Sequence, residues 1–385
     1  MAPHVLGSSA PAWFASWVIG WLVPVSLVLV GGCSGLAPGG SSTTPSTAST
    51  PTLAPSRPAT TRTSVALAPT ARPGPTLAPP AGFVSDGLRP GVRTSTYLND
   101  VCEYLRLRWD PDRSPPGTVV APIMFHSVRE PDNMIQDSVT ISSDDLKAII
   151  DRARNLGFET ITAEELAGFL EENRSIPTRS MILIVDDRRP GTVERYFLPP
   201  AESYDWTVTL GWIIADTRAS LWEWMERMNA TGRLDVQSHG YWHKYLTEET
   251  PDETVRQEIV DPIAVLEARF GNRPTAFVWP GGNFTPAGVN VARGAGYRLG
   301  FTAYSRGPLL FNWVPLGEAE RAVGDPLMVL PRYWSTAALV NLDQAVEVAE
   351  QAARFAQESH AAEAAWYAQA CDGELPALPS TLEGG

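Results

Sequence analysis

The sequence predicts an α/β fold in which parallel strands are surrounded by helices, and three observations support this prediction. Short apolar runs alternate with amphipathic helical patterns through most of the chain after residue 117. This alternation is typical of parallel sheets whose connecting helices lie outside. Residues 181–185 are apolar without interruption, which indicates a strand buried on both faces. Polar residues follow several of the predicted strands directly, which indicates a site at one edge of the sheet.

Two architectures fit the alternation, an open doubly wound sheet and a (β/α) barrel. No glycine-rich phosphate fingerprint follows any predicted strand, which argues against the nucleotide-binding form of the open sheet. A barrel explains the polar residues better, because the carboxyl ends of its strands meet on one face, where active sites lie. The residues expected at that face are His126, Asp186, Asp187, His239 and the Pro280-Gly281 turn.

The predicted strands are apolar runs bounded by turn residues. In chain order they cover residues 118–125, 158–161, 181–185, 206–214, 234–238, 275–279, 298–303 and 327–330. The predicted helices show apolar stripes with helical spacing, and several begin at a capping residue. They begin at Ser143, at a capping box of Thr162 with Glu165, near Leu221, at a second box of Thr250 with Glu253, and at residue 344 for a long Ala-rich helix to residue 369.

The beginning of the chain is expected to lie outside the barrel. Residues 1–33 resemble a signal peptide, with an apolar stretch too short for a comfortable membrane span and a lipobox that ends at Cys33. No Lys or Arg precedes the apolar stretch, so simple secretion or an uncleaved anchor is the alternative to lipidation of Cys33. Residues 34–85 are rich in Ser, Thr, Pro and Ala, which predicts a disordered tether. The barrel domain is expected over residues 86–375, with a tail over residues 376–385.

The composition limits the classes of partner. The formal net charge is −13 and no Lys/Arg-rich block is present, so the sequence argues against nucleic acid as a partner. The hydrophobic content of 44% is ample for a core. Thirteen Trp residues are many for this length, and each of them could pack in a core or stack on a sugar face.

Residues 239–243, His-Gly-Tyr-Trp-His, place two imidazoles four positions apart. In a helical turn they would share one face, and this spacing is common for two ligands of one metal ion. One carboxylate of the acid pair would complete a three-ligand site with an open position, the pattern of a catalytic rather than a structural metal site. Successive strand residues point to opposite sides, so Asp186 and Asp187 cannot do the same work. The alternative is a core histidine at His239 and a surface histidine at His243.

These stretches, in this order, resemble the motifs of the polysaccharide deacetylases (NodB-homology domain, carbohydrate esterase family four). The resemblance covers about residues 119–333 and rests on residues 184–188 (Ile-Val-Asp-Asp-Arg), 239–243 and 277–282 (Phe-Val-Trp-Pro-Gly-Gly). Residues 124–126, Met-Phe-His, are similar to the Tyr-His opening of the subgroup that includes poly-N-acetylglucosamine deacetylases. The resemblance implies a distorted (β/α) barrel and metal-dependent removal of N-acetyl groups from a polysaccharide.

Carried over to this chain, the resemblance implies that Asp187, His239 and His243 hold a divalent ion and that Asp186 is the general base. Zn²⁺ is the expected ion, with Co²⁺ or Ni²⁺ as alternatives. Aromatic residues near the expected face could stack on sugars, namely Trp242, Trp279, Trp313 and Trp334. We expect the substrate to contact Trp242, Trp279, Pro280, Gly281 and Arg188.

The chain departs from the family pattern at several positions. Ile184-Val185 replaces the usual Thr-Phe, Arg188 replaces a Gly, and the usual Arg is absent at the loop of Trp279. The late Leu-x-His that supplies the general acid is also missing. The sequence has no His between His243 and His360, and His360 is expected to be solvated. The general acid is therefore expected to be His126, or Asp186 returning its own proton.

The sequence as a whole predicts an exported, cell-surface deacetylase of an N-acetylated polysaccharide, attached to the membrane through Cys33. The missing acid keeps open a carbohydrate-binding homologue with little or no turnover. Hydrolysis of another acyl or amide bond at the same metal site is a further alternative. Disulfides persist in exported proteins, and with Cys33 lipidated we expect the two other cysteines, Cys102 and Cys371, to pair.

Overall fold

The computed structural model describes residues 77–133, 135, 137–371 and 373–378. The predicted signal peptide, its lipobox with Cys33 and the predicted tether up to residue 76 lie outside the described residues, as do residues 379–385 of the predicted tail. Within the described part of the chain, no helix combines the length and the apolar character that crossing a membrane requires.

An eight-stranded parallel sheet forms the frame of the fold. Its strands are β1 (Val119–Phe125), β2 (Glu159–Thr160), β3 (Arg179–Asp186), β4 (Val208–Trp212), β5 (Leu234–Ser238), β6 (Ala276–Val278), β7 (Leu299–Phe301) and β8 (Tyr333–Trp334). Their spatial order is β7-β6-β5-β4-β3-β1-β8, and β2 pairs with the first part of β3. Three-residue strands outside this sheet pair Arg93–Ser95 with Val314–Leu316 and Ser127–Arg129 with Thr140–Ser142.

One segment, residues 330–334, joins the two edges of this sheet. The N–H of Leu330 donates to the carbonyl of Gly300 in β7 at 2.7 Å, and the N–H of Thr302 donates to the carbonyl of Leu330 at 2.9 Å. A few residues later, β8 pairs in parallel with β1. The sheet is thereby curled into a distorted (β/α) barrel, which confirms the predicted fold class. The strand predicted over residues 327–330 is wrong in detail, because Pro326–Met328 is a 3₁₀ turn and the paired strand begins at Tyr333.

The helices pack outside the sheet. They are α1 (Val101–Arg108), α2 (Ser143–Asn155), α3 (Ala163–Glu172), α4 (Leu198–Tyr204), α5 (Ala219–Asn229), α6 (Asp252–Phe270), α7 (Pro286–Gly294), α8 (Glu318–Val323) and α9 (Ala338–Ala370). A short helix, Pro190–Thr192, and a π-helical turn, Val193–Phe197, precede α4.

The helix starts were predicted with mixed success. The box of Thr162 with Glu165 is confirmed, whereas the cap of α2 is Ser142, one residue before the predicted position. The box predicted at Thr250 is wrong: no side chain caps α6, and the Thr250 hydroxyl instead accepts the N–H of Thr247 at 2.9 Å. The Ala-rich helix α9 begins at Ala338, six residues earlier than predicted.

Strand β3 is buried on both faces, as predicted. Residues 181–185 are each at most 4% exposed. Met181, Leu183 and Val185 pack in a cluster with residues of α2, α5 and α9. Ile182 and Ile184 pack in a second cluster with residues of β6 and β7. Because strand residues alternate, Asp186 lies on the same side of β3 as those two isoleucines, toward the inside of the barrel.

The amino-terminal and carboxyl-terminal helices are held together covalently. The predicted pairing of Cys102 with Cys371 is confirmed, with a Cα–Cα distance of 5.7 Å. The expectation that His360 is solvated is wrong. Its ring packs edge-on against Trp109, with the ring centroids 4.4 Å apart, and its Nε2 lies 2.9 Å from the carbonyl oxygen of Pro376.

Candidate metal centre

Three polar side chains converge at the carboxyl ends of β3 and β5. Asp187 directly follows β3, His239 directly follows β5, and His243 lies four residues further on. The Nε2 atoms of both histidines lie 3.8 Å from Oδ1 of Asp187, and one donor atom from each residue lies within 4.8 Å of the other two. Two imidazole nitrogens and a carboxylate oxygen form a donor set that suits Zn²⁺ and related divalent ions. The residues present therefore fit a metal ion.

The loop that carries the two histidines is not the helical turn considered above. Residues 239–243 form no helix, and Gly240 and His243 have φ angles of 84° and 64°. Asp187 also has a left-handed backbone, with φ of 68°. A residue with a side chain is uncommon in this region, which costs about 1–3 kcal/mol and is concentrated at functional sites. These turns, rather than helical periodicity, bring the ligand atoms together.

The ring of His239 is oriented by its second nitrogen. Its Nδ1 lies 2.8 Å from the carbonyl oxygen of Val278, so Nδ1 carries the hydrogen and the Nε2 lone pair faces Asp187. Burial lowers the pKa of His239 to about 4, although the nearby Asp186 carboxylate opposes that shift. The imidazole is therefore neutral at neutral pH, the form that binds metal ions.

Asp187 is oriented by an arginine. The Nη2 of Arg189 lies 3.2 Å from its Oδ2, which leaves Oδ1 toward the two histidines. Arg188, by contrast, donates to the carbonyl oxygen of Ala215 and is half-buried. The two adjacent arginines thus have different partners, and the predicted contact of Arg188 with substrate stays a prediction.

Asp186 is a buried carboxylate paired with Arg332. It is 2% exposed, and its Oδ1 and Oδ2 lie 2.8 and 2.9 Å from Nη1 of Arg332. Oδ2 also lies 3.9 Å from the Nε2 atoms of His126 and His239. Burial raises the pKa of Asp186, but Arg332 and the two histidines more than offset that effect, so its pKa lies below the usual value. Asp186 is therefore ionised at neutral pH.

Sequence reasoning missed Arg332. Its side chain is 1% exposed and lies in the segment that joins the barrel edges, where its Nε donates to the carbonyl of Thr302 at 2.7 Å. The available signal was a single charged residue in the otherwise apolar stretch of residues 327–334. Its partner, Asp186, is 146 residues away in the sequence, so no local pattern could have paired them.

Comparison with known proteins agrees with this geometry. Residues 173–300 match the family model of the polysaccharide deacetylases. The matched stretch includes the acid pair after β3 and both histidines after β5.

Solved structures similar to this chain share little sequence identity with it. The deacetylase PplD of Streptococcus pyogenes, solved with acetate, is 18% identical, with 59% of this chain and 98% of that chain covered and a TM-score of 0.49. IcaB of Ammonifex degensii is also 18% identical, with 60% and 97% covered and a TM-score of 0.47. The BpsB deacetylase domain of Bordetella bronchiseptica is 18% identical, with 58% and 97% covered and a TM-score of 0.44. No curated protein matches the chain significantly.

His126 lies at the edge of the candidate metal centre, directly after β1. Its Nε2 faces Asp186, and its ring is nearly parallel to that of Trp334, with an interplanar angle of 12° and centroids 6.4 Å apart. Its side chain is half-buried, so part of the ring can be reached from solvent. The structure thus brings His126 to the acid pair, as the sequence predicted.

The prediction that Trp279 faces the substrate is wrong. Trp279 is fully buried, and its Nε1 donates to the carbonyl of Met328 at 2.8 Å. Pro280 is buried as well, whereas Gly281 is exposed. Trp313 is also a core residue, and its Nε1 donates to the carbonyl of Phe83 at 3.2 Å. Neither tryptophan offers a ring face to a sugar.

Other aromatic residues do lie exposed around the candidate metal centre. Trp242, a predicted contact, is exposed next to His243. Tyr245, which the sequence reasoning did not select, is exposed, and its ring lies 5.8 Å from that of His243. The ring of Tyr245 also lies next to Gly281, so that a Cβ atom at Gly281 would come within 2.7 Å of the ring. Aromatic faces therefore line the centre on the side of the histidine loop.

Proposed function

We propose that this chain is a metal-dependent hydrolase that removes N-acetyl groups from a polysaccharide. The observation that carries the proposal is the convergence of Asp187, His239 and His243 beside the ionised Asp186 within a deacetylase family match. These three residues would hold one divalent ion, with Zn²⁺ as the first choice and Co²⁺ or Ni²⁺ as alternatives. When bound, such an ion supplies Lewis acidity, which activates water and polarises an acetyl carbonyl.

Asp186 is proposed as the general base. Arg332 binds both of its oxygens, which keeps the carboxylate ionised and fixes its orientation. The side of Asp186 that faces the imidazoles is then available to accept a proton from the attacking water. Arg332 is therefore proposed as a positioning residue: it orients the carboxylate of Asp186 and does not itself contact the reacting atoms.

His126 is proposed as the general acid that protonates the leaving amine. The sequence contains five His, of which His239 and His243 are assigned to the metal. His4 lies outside the described residues, and His360 packs against Trp109. His126 is the remaining histidine, and it lies beside the proposed base. The alternative is that Asp186 returns the proton it has taken.

The aromatic residues around the centre support a carbohydrate substrate. Trp242 and Tyr245 are exposed near His243, and Trp334 lies beside His126. The apolar faces of sugar rings pack against such side chains, whose polar tips remain hydrated. We propose an N-acetylated glycan of the kind that the poly-N-acetylglucosamine deacetylase subgroup acts on.

The test is acetate release from N-acetylglucosamine oligomers by the full chain. Removal of metal with a chelator should abolish release, and addition of Zn²⁺, Co²⁺ or Ni²⁺ should restore it. Acetate release that continues after complete metal removal would contradict the proposed metal dependence.

A second candidate function is carbohydrate binding with little turnover. It is favoured by the absence of the family's late histidine, since the sequence has no His between His243 and His360. In that case the chain would bind the oligomers, with the same affinity in the presence or absence of metal, and release no acetate. Measured release at a rate dependent on His126 would reject this candidate.

Export and attachment of the chain to the cell surface through a lipid on Cys33 is proposed from the sequence alone. The support is the apolar stretch that precedes Val-Gly-Gly-Cys at residues 30–33. Mass spectrometry of membrane-associated protein should detect a lipid on Cys33. An unmodified Cys33 in protein recovered from the medium would favour simple secretion.

A further inference from the structure

A buried carboxylate behind the metal centre has no part in the reaction proposed above. Glu258 lies in the second turn of α6 and is 0% exposed. Its Oε1 and Oε2 accept the N–H of Trp242 at 2.9 and 3.1 Å, and the N–H groups of Tyr241 and Lys244 also bond to it. Among the described residues, no cationic side chain forms an ion pair with Glu258. A buried charge of this kind persists only where its hydrogen bonds compensate for lost hydration.

The amides that Glu258 binds belong to the loop of His239 and His243. The carbonyls of this loop have a separate set of partners, because Gly240 and Tyr241 accept the N–H groups of Ile214 and Ala215 after β4. The N–H groups of Tyr241, Trp242 and Lys244 instead face Glu258 of α6. The loop is thus held from both sides, by the β4 connection and by one carboxylate.

The fit between Glu258 and the loop is close. A Cβ atom at Gly240 would lie 2.6 Å from Oε2 of Glu258, so only glycine allows the carboxylate to approach this far. His243 keeps its left-handed φ of 64° within the same loop. Successive backbone N–H groups that point at one anion form a nest, and the anion stabilises the turn that creates it.

We infer that Glu258 is a positioning residue that holds the histidine loop in the conformation required for metal binding. This inference rests on the metal site proposed above. If the carboxylate is lost, the N–H groups of Tyr241, Trp242 and Lys244 lose their acceptor, and a relaxed loop could offer them other partners. Relaxation would release the strained backbone of His243 and move its Nε2 away from Asp187. Residues that orient metal ligands from outside the first shell typically contribute about 10–100-fold in metal affinity.

The test is calorimetric titration of Zn²⁺ into the metal-free full chain. Glu258→Gln keeps the size of the side chain but replaces one acceptor oxygen by an NH₂ group that faces the loop amides. We expect Zn²⁺ affinity to fall by about 10–100-fold. Glu267→Gln, an exposed glutamate on the same helix, is the matched control and should bind as the unaltered chain does.

The measurement is made below the melting transition of each variant, so that a loss of stability alone does not lower the affinity. If Glu258→Gln melts earlier yet binds Zn²⁺ with unchanged affinity, Glu258 supports only the fold and the inference is overturned. If the unaltered chain binds no divalent ion, the proposed metal site has failed instead. The absorption spectrum of bound Co²⁺ gives a second readout, because it reports the ligand geometry and should differ in Glu258→Gln.

Glu258→Asp serves if Glu258→Gln does not fold. It keeps the charge but withdraws the carboxylate from the loop by one methylene. We expect an affinity between those of the unaltered chain and Glu258→Gln, because the acceptor remains but its hydrogen bonds lengthen. Unchanged Zn²⁺ affinity and an unchanged Co²⁺ spectrum in folded Glu258→Asp would equally overturn the inference.

Discussion

Two buried arginine–carboxylate pairs in this protein differ in what else contacts the acid. Glu363 of α9 accepts from Arg108 at 2.8 Å, from Nε1 of Trp109 at 2.6 Å and from the hydroxyl of Ser359 at 3.1 Å. Asp186 accepts hydrogen bonds from Arg332, and its Oδ2 also faces two imidazoles at 3.9 Å. The first pair joins the same two helices as the disulfide, whereas the second lies at the carboxyl ends of the strands.

This difference separates a structural pair from a chemical one. The oxygens of Glu363 are engaged by donors that keep their protons, so the carboxylate ties α1 to α9. Oδ2 of Asp186 faces groups that can exchange protons, so the carboxylate can take part in acid–base chemistry. Neither pair is expected to add much to the free energy of unfolding. The free energy lost when both charges are removed from water is about as large as the free energy gained from their attraction. Removing one partner is strongly destabilising, because the other charge is left buried without a counter-ion.

The largest effect is expected at the metal ligands. His239→Ala removes one of three ligands, so bound metal should fall to near zero per folded chain. His360→Ala, which changes the histidine near the structural pair, is the control and should leave metal content unchanged. Elemental analysis of the purified variants measures both. Full metal content in His239→Ala would mean that His239 is not a ligand.

The next effect concerns the acid of the chemical pair. Asp186→Asn should keep the metal and the fold but reduce acetate release by about 10²–10⁴-fold, the usual contribution of general acid–base catalysis. Glu363→Gln should leave the rate per folded molecule unchanged. Steady-state acetate release with metal analysis distinguishes the cases. If Asp186→Asn loses its metal instead, the roles assigned to the two adjacent acids must be exchanged.

The third prediction compares the two buried arginines, Arg332 and Arg108, by their effect on the free energy of unfolding. Arg332→Met and Arg108→Met each leave a carboxylate buried without its cation, which should lower the free energy of unfolding by about 3–5 kcal/mol. Denaturant unfolding measures this loss. Equal stability of both variants and the unaltered chain would show that neither carboxylate stays charged after its partner is removed.

The same two variants should differ in their pH dependence. Burial raises the pKa of Asp186, but Arg332 and the histidines hold it below the usual value. Because the folded pKa is lowered, this interaction stabilises the protein above the unfolded pKa, and the stabilisation is lost as the pH falls through the folded pKa. In Arg332→Met the pKa of Asp186 rises, so the acid limb of the pH–rate profile should move to higher pH. The limb should stay in place in Arg108→Met.

The smallest effect is expected from the covalent tie beside the structural pair. Replacing Cys102 and Cys371 together by Ser should lower the free energy of unfolding by about 2–4 kcal/mol, the typical range for a disulfide. Metal affinity and acetate release of the folded variant should not change, because the bridge lies between α1 and the end of α9. A changed metal affinity would indicate that the helix pair and the centre are coupled.

Much of the sheet and of the candidate site could be predicted because the sequence patterns that indicate them are local. The uninterrupted apolar run before the acid pair identified β3, and the four-residue spacing of His239 and His243 identified the metal ligands as candidates. The disulfide followed from the small number of cysteines rather than from geometry. The observed helix starts differ from the predicted ones by one residue at α2, where neighbouring serines compete for the cap, and by six at α9, which has no capping side chain.

The sequence by itself determined the fold class, the positions of the site residues at strand ends and the chemistry that their side chains can perform. Only the tertiary structure decided that Trp279 is buried, that Arg332 pairs with Asp186 and that Glu258 holds the histidine loop. Periodicity reports which residues share a face, and it carries no information about which distant residue meets that face. The partner of a buried charge is settled by how the barrel edges join and how α6 packs beneath the loop, and both are contacts between segments far apart in the chain.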